Sequence, residues 1–492
     1  MTKLIGLDLG LHGLRYESYD LAGRVLASGR GEIRKQEGLN WLTALRRARD
    51  TAKDAIGSDE LIVSAQSTSG TVLLVDKYGD EVLPPLMYYE RAVAEAAEVN
   101  SLKSAAELAQ RGVAISSTSP IPKILEARRK HPQRFAHLRW IISPTTWLLY
   151  KLAYPKGEEW KNICTDWTNG LKYGVDPTPE PHWYEPFFQE VGVDLGQFPR
   201  LVPCGEELGD ARSELADALG LRGARLFQGM TEGNASALAV GCLKEGDFGF
   251  SIENSTVFKY VCDRLKVHPA LYYHKHPFKG YLAGAAPVTG GTFTWFAEKV
   301  MGVTNEKAFS LAEECPPGTE FSYFPQGDRS PFDDPQVGAS FLGIWRDEST
   351  RDFARGRVLR SMLLGLTFLE YYYLSLFQTL FERKIDQALI TGEGTKSDWW
   401  NRLRASIYDI PVKVMEERAA IGALLPIVMR LKLFKTLEEA QTKLLRMSAV
   451  YEPDTRLGLK YDKMKDAFFD KWKIIREASK FPDSGHTSSH TM

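Results

Sequence analysis

The residues able to do chemistry in this chain gather in a few short polar turns. Asp8-Leu9-Gly10 closes the apolar run KLIGLD. An acid at a strand end can reach a metal-bound phosphate or a substrate hydroxyl, and the adjoining glycine lets another group come close to the backbone. The same acid can equally cap a turn. Ser67-Thr68-Ser69-Gly70-Thr71 offers hydroxyls and backbone donors in a compact turn, suited to lining a polar sugar pocket or to serving as an ordinary connection. Gly229-Met230-Thr231-Glu232-Gly233-Asn234 runs into the helical stretch ASALAVGCL. A carboxylate at a helix mouth can act as general base on a hydroxyl, or simply complement the helix dipole. Tyr273-His274-Lys275-His276-Pro277 sets two histidines on one face of a strand, but no third ligand stands out for a metal. Thr391-Gly392-Glu393-Gly394-Thr395 precedes a helix beginning near Ser397, a usual position for nucleotide phosphates.

Those turns need elements to hold them. The chain opens as strand, turn, strand: residues 3–8, a break at Gly10 and Gly13, then the alternating LRYESYD, a turn at AGR and a third strand VLASGRG. A helical period runs from Asn40 to Ile56, LIVSA and TVLLVD read as strands, and helical patterns fill 91–112 and 122–134. A second hairpin begins at Gly246: DFGFSIENSTVFKYV alternates, breaks at Glu253-Asn254-Ser255 and resumes, echoing the first. A long apolar helix from Arg351 to Glu382 follows, then a strand into the glycine turn at 392–394, a helix over 397–408, the strand PVKVM and a helix over 417–431. Each half starts with a hairpin and then alternates strands with helices. The expectation is an α/β protein of two lobes with a central ligand cleft. A boundary near Gly241–Gly246 gives domains over 1–244 and 245–480, with a disordered polar tail at 481–492.

Composition agrees with that architecture. A chain of 492 residues exceeds one compact core. Its 62 basic and 63 acidic residues nearly cancel, which leaves no electrostatic case for nucleic acid or a membrane surface as the main partner. No apolar run reaches the roughly 18 residues of a membrane span, and MTKLIGLDLG enters a strand pattern without signal-peptide organisation. Cys164, Cys204, Cys242, Cys262 and Cys315 form neither a CxxC pair nor a zinc pattern. Reduced, buried thiols in a cytoplasmic protein are expected. The run Tyr371-Tyr372-Tyr373 can pack within a lobe or form a homodimer contact.

Taken in order, these segments resemble the FGGY carbohydrate kinases over residues 3–430, most of all the branch of pentulose (ribulose and xylulose) kinase-like proteins. The carrying motifs are Asp8-Leu9-Gly10-Leu11, Thr68-Ser69-Gly70-Thr71, Met87-Tyr88-Tyr89-Glu90-Arg91-Ala92 and Thr165 to Lys172. Further along come Tyr273 to Pro277 with Thr289-Gly290-Gly291, Gly327-Asp328-Arg329-Ser330-Pro331 with Asp334-Pro335, and Gly392 to Trp400 with Ala420-Ile421-Gly422-Ala423. The resemblance implies two actin-like (ribonuclease H-like) lobes, with sugar deep in the cleft and magnesium-ATP mainly on the second lobe. It implies Glu232 as general base, where the family has Asp, and Asp8 as holder of the metal or the reacting hydroxyl. Ser69, Gly70, Tyr88, Tyr89, Glu90 and Thr231 would border a small sugar or polyol such as a ketopentose. Gly10, His12, Asn254, Ser255, Gly290, Gly291, Gly392, Gly394 and Thr395 would border the nucleotide.

The chain departs from the family at the nucleotide end. Leu11 stands where the family has Thr, so a γ-phosphate loses a hydroxyl donor. Glu253-Asn254-Ser255 replaces Gly-Thr-Ser, and a carboxylate beside a triphosphate repels it unless magnesium bridges them. Glu393 lies between the two glycines of the adenosine turn. Two readings stay open: a sugar kinase, or an altered scaffold that binds sugar for regulation or does other chemistry.

Overall fold

The computed structural model describes residues 2–55, 60–327, 330–332, 334, 336–345, 349–418 and 420–478. The tail 481–492, and Ile56, Asp328, Arg329 and Pro335, lie outside the described residues.

The N-terminal apolar run forms β1 (Thr2–Leu9), which hairpins into β2 (Gly13–Tyr19) and β3 (Val25–Glu32). Helix α1 (Gly38–Ala52) then crosses over to β4 (Glu60–Ser67), which pairs in parallel with β1. β1 is buried from Lys3 to Leu9, as a strand covered on both faces must be. After a helical insertion, β5 (Glu207–Asp210), β6 (Arg225–Phe227) and β7 (Met230–Thr231) complete a seven-stranded sheet in the order β5-β6-β4-β1-β2-β3, with β7 against β4. Helix α2 (Glu232–Val240) leaves directly from β7.

The second half repeats the device. β8 (Phe248–Ile252) hairpins into β9 (Thr256–Cys262), followed by β10 (Tyr272–Lys275) and β11 (Tyr281–Ala285). Helix α3 (Arg351–Phe381) crosses to β12 (Ala388–Thr391), parallel to β8, as α1 leads to β4. Helix α4 (Asp398–Tyr408), β13 (Val412–Met415), helix α5 (Ile421–Arg430) and β14 (Met447–Tyr451) close a sheet of order β10-β11-β9-β8-β12-β13-β14. Alternate residues of β8 and β9 face α3: Phe248 and Phe258 pack with Phe377 and Tyr373. The tyrosine run is intramolecular packing, with Tyr373 fully buried and Tyr372 stacked on Phe469 at 3.9 Å between centroids. The two halves meet where α5 packs on α2. Gly422 permits this contact, since a Cβ there would lie 1.8 Å from the Ala235 carbonyl oxygen.

Three helical expectations change. The pattern over 91–112 is two helices, Val93–Asn100 and Lys103–Gln110, broken where the Ser101 hydroxyl donates to the Glu98 carbonyl. The pattern over 122–134 divides into Pro120–Lys130 and Pro132–Phe135, because Pro132 cannot donate a helical hydrogen bond and instead opens a new turn. The helix expected over 417–431 starts at Ile421, because Arg418 is tied to Glu416 and to the Gly23 carbonyl. Among the described residues no helix is long and apolar enough to cross a membrane. All five cysteines are free and buried.

Candidate active site

The register of three strands builds the first part of the site. Asp8, at the end of β1, lies between Arg15 on β2 and Gln66 on β4. Only 6% of Asp8 is exposed. Burial pushes its carboxyl above the usual carboxylate range, while a hydrogen bond from Gln66 and the Arg15 guanidinium oppose the shift. Its Oδ1 has no hydrogen-bond partner among the described residues. Arg15 in turn pairs with Glu417, 3.0 Å away.

Glu232 reaches the same place by another route. β7 pairs with the end of β4, Met230 with Gln66 and Thr231 with Ser67. The approach depends on Gly229, where a Cβ would lie 1.6 Å from the Ala65 carbonyl oxygen. Thr231 is the N-cap residue of α2 without a side-chain cap bond; its N–H donates to Thr168 Oγ1 at 3.0 Å, and its hydroxyl accepts from the Asn234 side-chain amide at 2.6 Å. Behind Thr168 the buried Asp166 carboxylate accepts from Asn169 and Gln228 side chains. Glu232 itself is an exposed residue that lines the cleft. Desolvation of its carboxyl within the cleft, then the neighbouring Asp8 charge, raises its proton affinity.

Two cavities of about 360 Å³ each meet at Glu232. Ser236, Val240, Ser251 and Glu253 line both. The first cavity runs past Asp8, Gly10, Leu11, His12 and Arg15 to Glu393 and the 416–418 segment. The second runs past Thr68, Ser69, Tyr88, Asn254 and Ser255 to Lys259.

The residues singled out in the sequence distribute unevenly over this geometry. Asp8, Glu232, Gly10 and His12 share the first cavity; Ser69 and Tyr88 share the second with Glu232. Asn254 and Ser255 line the second cavity, away from the nucleotide turn with which they were grouped. Gly70, Tyr89, Glu90 and Thr231 line neither. Gly70 holds φ +90° and accepts from the buried Lys123 ammonium at 2.8 Å. Glu90 accepts from the Met87 N–H, and Tyr89 is 45% exposed, edge-on to Tyr88. Gly290 and Gly291 support the second hairpin from below: both Thr289 and Gly291 donate to the Asn254 carbonyl. Gly392, Gly394 and Thr395 form a turn closed on itself, with Thr395 Oγ1 donating to the Gly392 carbonyl and Arg404 to that of Gly394. His276 accepts from the Phe278 and Lys279 N–H groups and contacts the Cys242 carbonyl, so it staples a loop. Among the described residues no group of three or more His, Cys, Asp or Glu is arranged for a metal.

The residues that mark the departures turn inward. Leu11, Glu253 and Glu393 all line the first cavity. Glu253 Oε1 accepts from the Glu393 N–H at 3.2 Å and lies 2.5 Å from where a Cβ on Gly392 would be. Burial, then the Glu417 and Glu393 charges, raise its proton affinity, against the Glu393 hydrogen bond. Glu393 also pairs with Lys396 at 2.6 Å. Arg15, Gln66 and Lys259 escaped the sequence reading. The hairpin register carried a signal for Arg15; a lysine inside the apolar TVFKYV marks Lys259 as unusual but does not say which face of the strand becomes a cavity wall.

Residues 264–429 match the C-terminal domain of the FGGY family of carbohydrate kinases. The chain is 23% identical over 481 residues to a xylulose kinase of Staphylococcus epidermidis, covering 92% of each. It is 21% identical over 518 residues to a xylulose kinase of Lactococcus lactis, covering 99% of this chain and all of the relative. Among solved structures, ADP-bound glycerol kinase of Plasmodium falciparum superposes with a TM-score of 0.84 at 15% identity, over 98% of this chain and 99% of that one. Ligand-bound xylulose kinase from Lactobacillus acidophilus gives 0.82 at 18% identity, over 97% and 98%. The fold is therefore that of two actin-like lobes around a central cleft.

Proposed function

Because the chain belongs to the FGGY family of carbohydrate kinases, we propose that it transfers the γ-phosphoryl group of ATP to a hydroxyl of a small sugar or polyol, with Glu232 as general base. The observation that carries this reading is the nearness of Asp8 and Glu232, two carboxyl groups of raised proton affinity that share the first cavity, with Glu232 also lining the second. Glu232 takes the proton of the substrate hydroxyl as that oxygen bonds to the γ-phosphorus. The bond to the β–γ bridging oxygen breaks, and ADP departs with the electron pair. Asp8 fits magnesium by donor chemistry, since one buried carboxylate oxygen has no partner among the described residues. Magnesium held there would offset phosphate charge. Ser69 and Tyr88 line the second cavity, where they can orient the substrate's other hydroxyls. Ketopentoses are the reference substrates, since xylulose kinases recur among the relatives.

The test is ADP release with magnesium-ATP against a panel of ketopentoses and polyols. Release that depends on the sugar and falls by about 10²–10⁴ in Glu232→Gln is expected. Sugar-dependent release undiminished in Glu232→Gln would remove the base from this role. One observation favours a second reading, in which the scaffold binds sugar without transferring phosphate: Glu253 already occupies the backbone donor of the nucleotide turn. Calorimetry separates the two. Sugar-dependent thermal stabilisation with no magnesium-ATP binding at about millimolar concentration supports the second reading and sinks the first.

A further inference from the structure

The second cavity is electrically lopsided. Glu232 and Glu253 line its junction with the first cavity, and Lys259 lines it farther along. In β9, Lys259 follows Val257 by two residues on the same face. Val257 pairs with Ser251, which lines both cavities, whereas Lys259 pairs with Gly249. At about 3.4 Å of rise per residue, Lys259 therefore sits about 7 Å along the strand from the junction.

Lys259 is buried, with 3% of its surface exposed. Among the described residues no carboxylate pairs with it, and its ring contact is Tyr272, 4.7 Å from the ammonium. Burial draws its ammonium down to about 8. One further cation, Lys172, acts on the neighbouring His274. His274, buried and with Nδ1 lacking a partner among the described residues, is held neutral by burial and then by Lys259 and Lys172. Lys172 comes from the other half of the chain, its Nζ 3.8 Å from where a Cβ on Gly70 would lie. Lys259 thus lines the end of the cavity remote from Glu232, and Lys172 from the other half acts on the neighbouring His274. Burying a cation without an anion is costly, and a resident anion would relieve that cost.

Within the kinase reading above, on which this rests, we propose that the acceptor is a sugar acid, its carboxylate paired with Lys259 and a hydroxyl at the other end of its carbon chain at Glu232. A neutral ketopentose leaves Lys259 buried and unpaired. A sugar acid matches both ends of the cavity, presenting its anion to the cation and its hydroxyl to the base.

Calorimetry without nucleotide tests this independently of phosphoryl transfer. D-xylonate and D-gluconate are compared with xylitol and D-xylulose, and with D-xylulose 5-phosphate as a phosphate-bearing control. The acids are expected to bind at least about tenfold more tightly than the neutral compounds. Lys259→Met should cost the acids about ten- to a hundredfold while moving neutral affinity by no more than about twofold. Lys259→Arg should keep part of the preference, and thermal unfolding of Lys259→Met at or above that of wild type guards against a folding defect. Should Lys259→Met fail to fold, the wild-type comparison of acids with neutral compounds still decides. Neutral compounds binding as tightly as the acids overturn the proposal. So does an unchanged acid affinity in a folded Lys259→Met, or tighter binding of the sugar phosphate. Tight acid binding with no ADP release leaves this inference standing and removes the kinase reading. ADP release on neutral sugars with no acid preference does the reverse.

Discussion

The two hairpins of this chain are one device used twice, with opposite outcomes. In each, the first strand pairs antiparallel with its partner and parallel with a strand that follows a crossover helix. In the first hairpin the acid, Asp8, lies within the strand, so Arg15 and Gln66 flank it in register and one oxygen stays unclaimed. In the second the acid, Glu253, lies just past the strand, and its carboxylate turns onto the N–H of Glu393. A shift of two positions relative to the strand end separates an acid with one oxygen unclaimed from one bonded to its own chain. The first turn leaves one acceptor oxygen open, and the second is partly filled already.

The strongest test of this contrast is Asp8→Asn. Loss of the unclaimed anionic oxygen should lower kcat by about 10²–10⁴, measured by ADP release at saturating sugar. Stability should move the other way. Burial raises the proton affinity of Asp8 in the folded state, so its ionised form carries a penalty above the folded pKa that is relieved as pH falls through it. The Asn variant should therefore unfold at a higher temperature than wild type at about pH 8, with the gap narrowing on acidification. A variant less stable at both ends of that range would show that Asp8 holds the hairpin together rather than waiting for a ligand.

The second turn is expected to fail structurally instead. Arg404 donates to the Gly394 carbonyl and pairs with Glu370, both side chains being essentially inaccessible. Arg404→Met leaves Glu370 buried beside the Tyr408 hydroxyl without its cation. A loss of about 3–5 kcal/mol in urea unfolding is expected. A loss below about 1 kcal/mol would mean that the turn does not depend on this pair.

Much of this was legible in the sequence, for identifiable reasons. Both hairpins, Asp8, Glu232 and the Thr68-Ser69 turn are local features, announced by alternation and by glycine punctuation. Lys259 was not legible, because its role depends on what covers its strand. Phe258 and Tyr260 face α3 in the core, whereas Val257 and Lys259 share the opposite face. In an isolated sheet that face would meet water; only the first lobe, packed across the cleft, makes it a cavity wall. Gly290 and Gly291 show a second reason for glycine. They read as phosphate contacts, yet a Cβ on Gly290 would lie 2.0 Å from the Glu253 carbonyl oxygen, so close packing alone accounts for a glycine there. The helix break at Ser101 rests on a side-chain hydrogen bond that no periodicity reveals.

A third test uses pH. A general base works only when ionised, and both desolvation of its carboxyl and the nearby Asp8 charge raise the proton affinity of Glu232. The acid limb of kcat/KM should therefore lie at higher pH than an ordinary carboxylate would give, with activity falling about tenfold per unit below it. Asp8→Asn removes the neighbouring charge, so the limb of whatever activity remains should move to lower pH. An acid limb at the ordinary carboxylate value in both proteins would separate the two groups and dissolve the site as described.

The smallest expected effect bears most directly on the difference between the hairpins. Glu253→Ser removes the carboxylate from the second turn, frees the Glu393 N–H as a donor and leaves a hydroxyl in its place. The carboxylate also sits among like charges, Glu417 and Glu393. Relief of one such repulsion at a partly exposed site should tighten magnesium-ATP binding by about tenfold, read by calorimetry. The Asp8 hairpin offers no equivalent gain, because its acid blocks no backbone donor. A Glu253→Ser protein that binds magnesium-ATP more weakly would reverse the assignment: Glu253 would then be working with magnesium as a second ligand-side carboxylate, and the two hairpins would be alike after all.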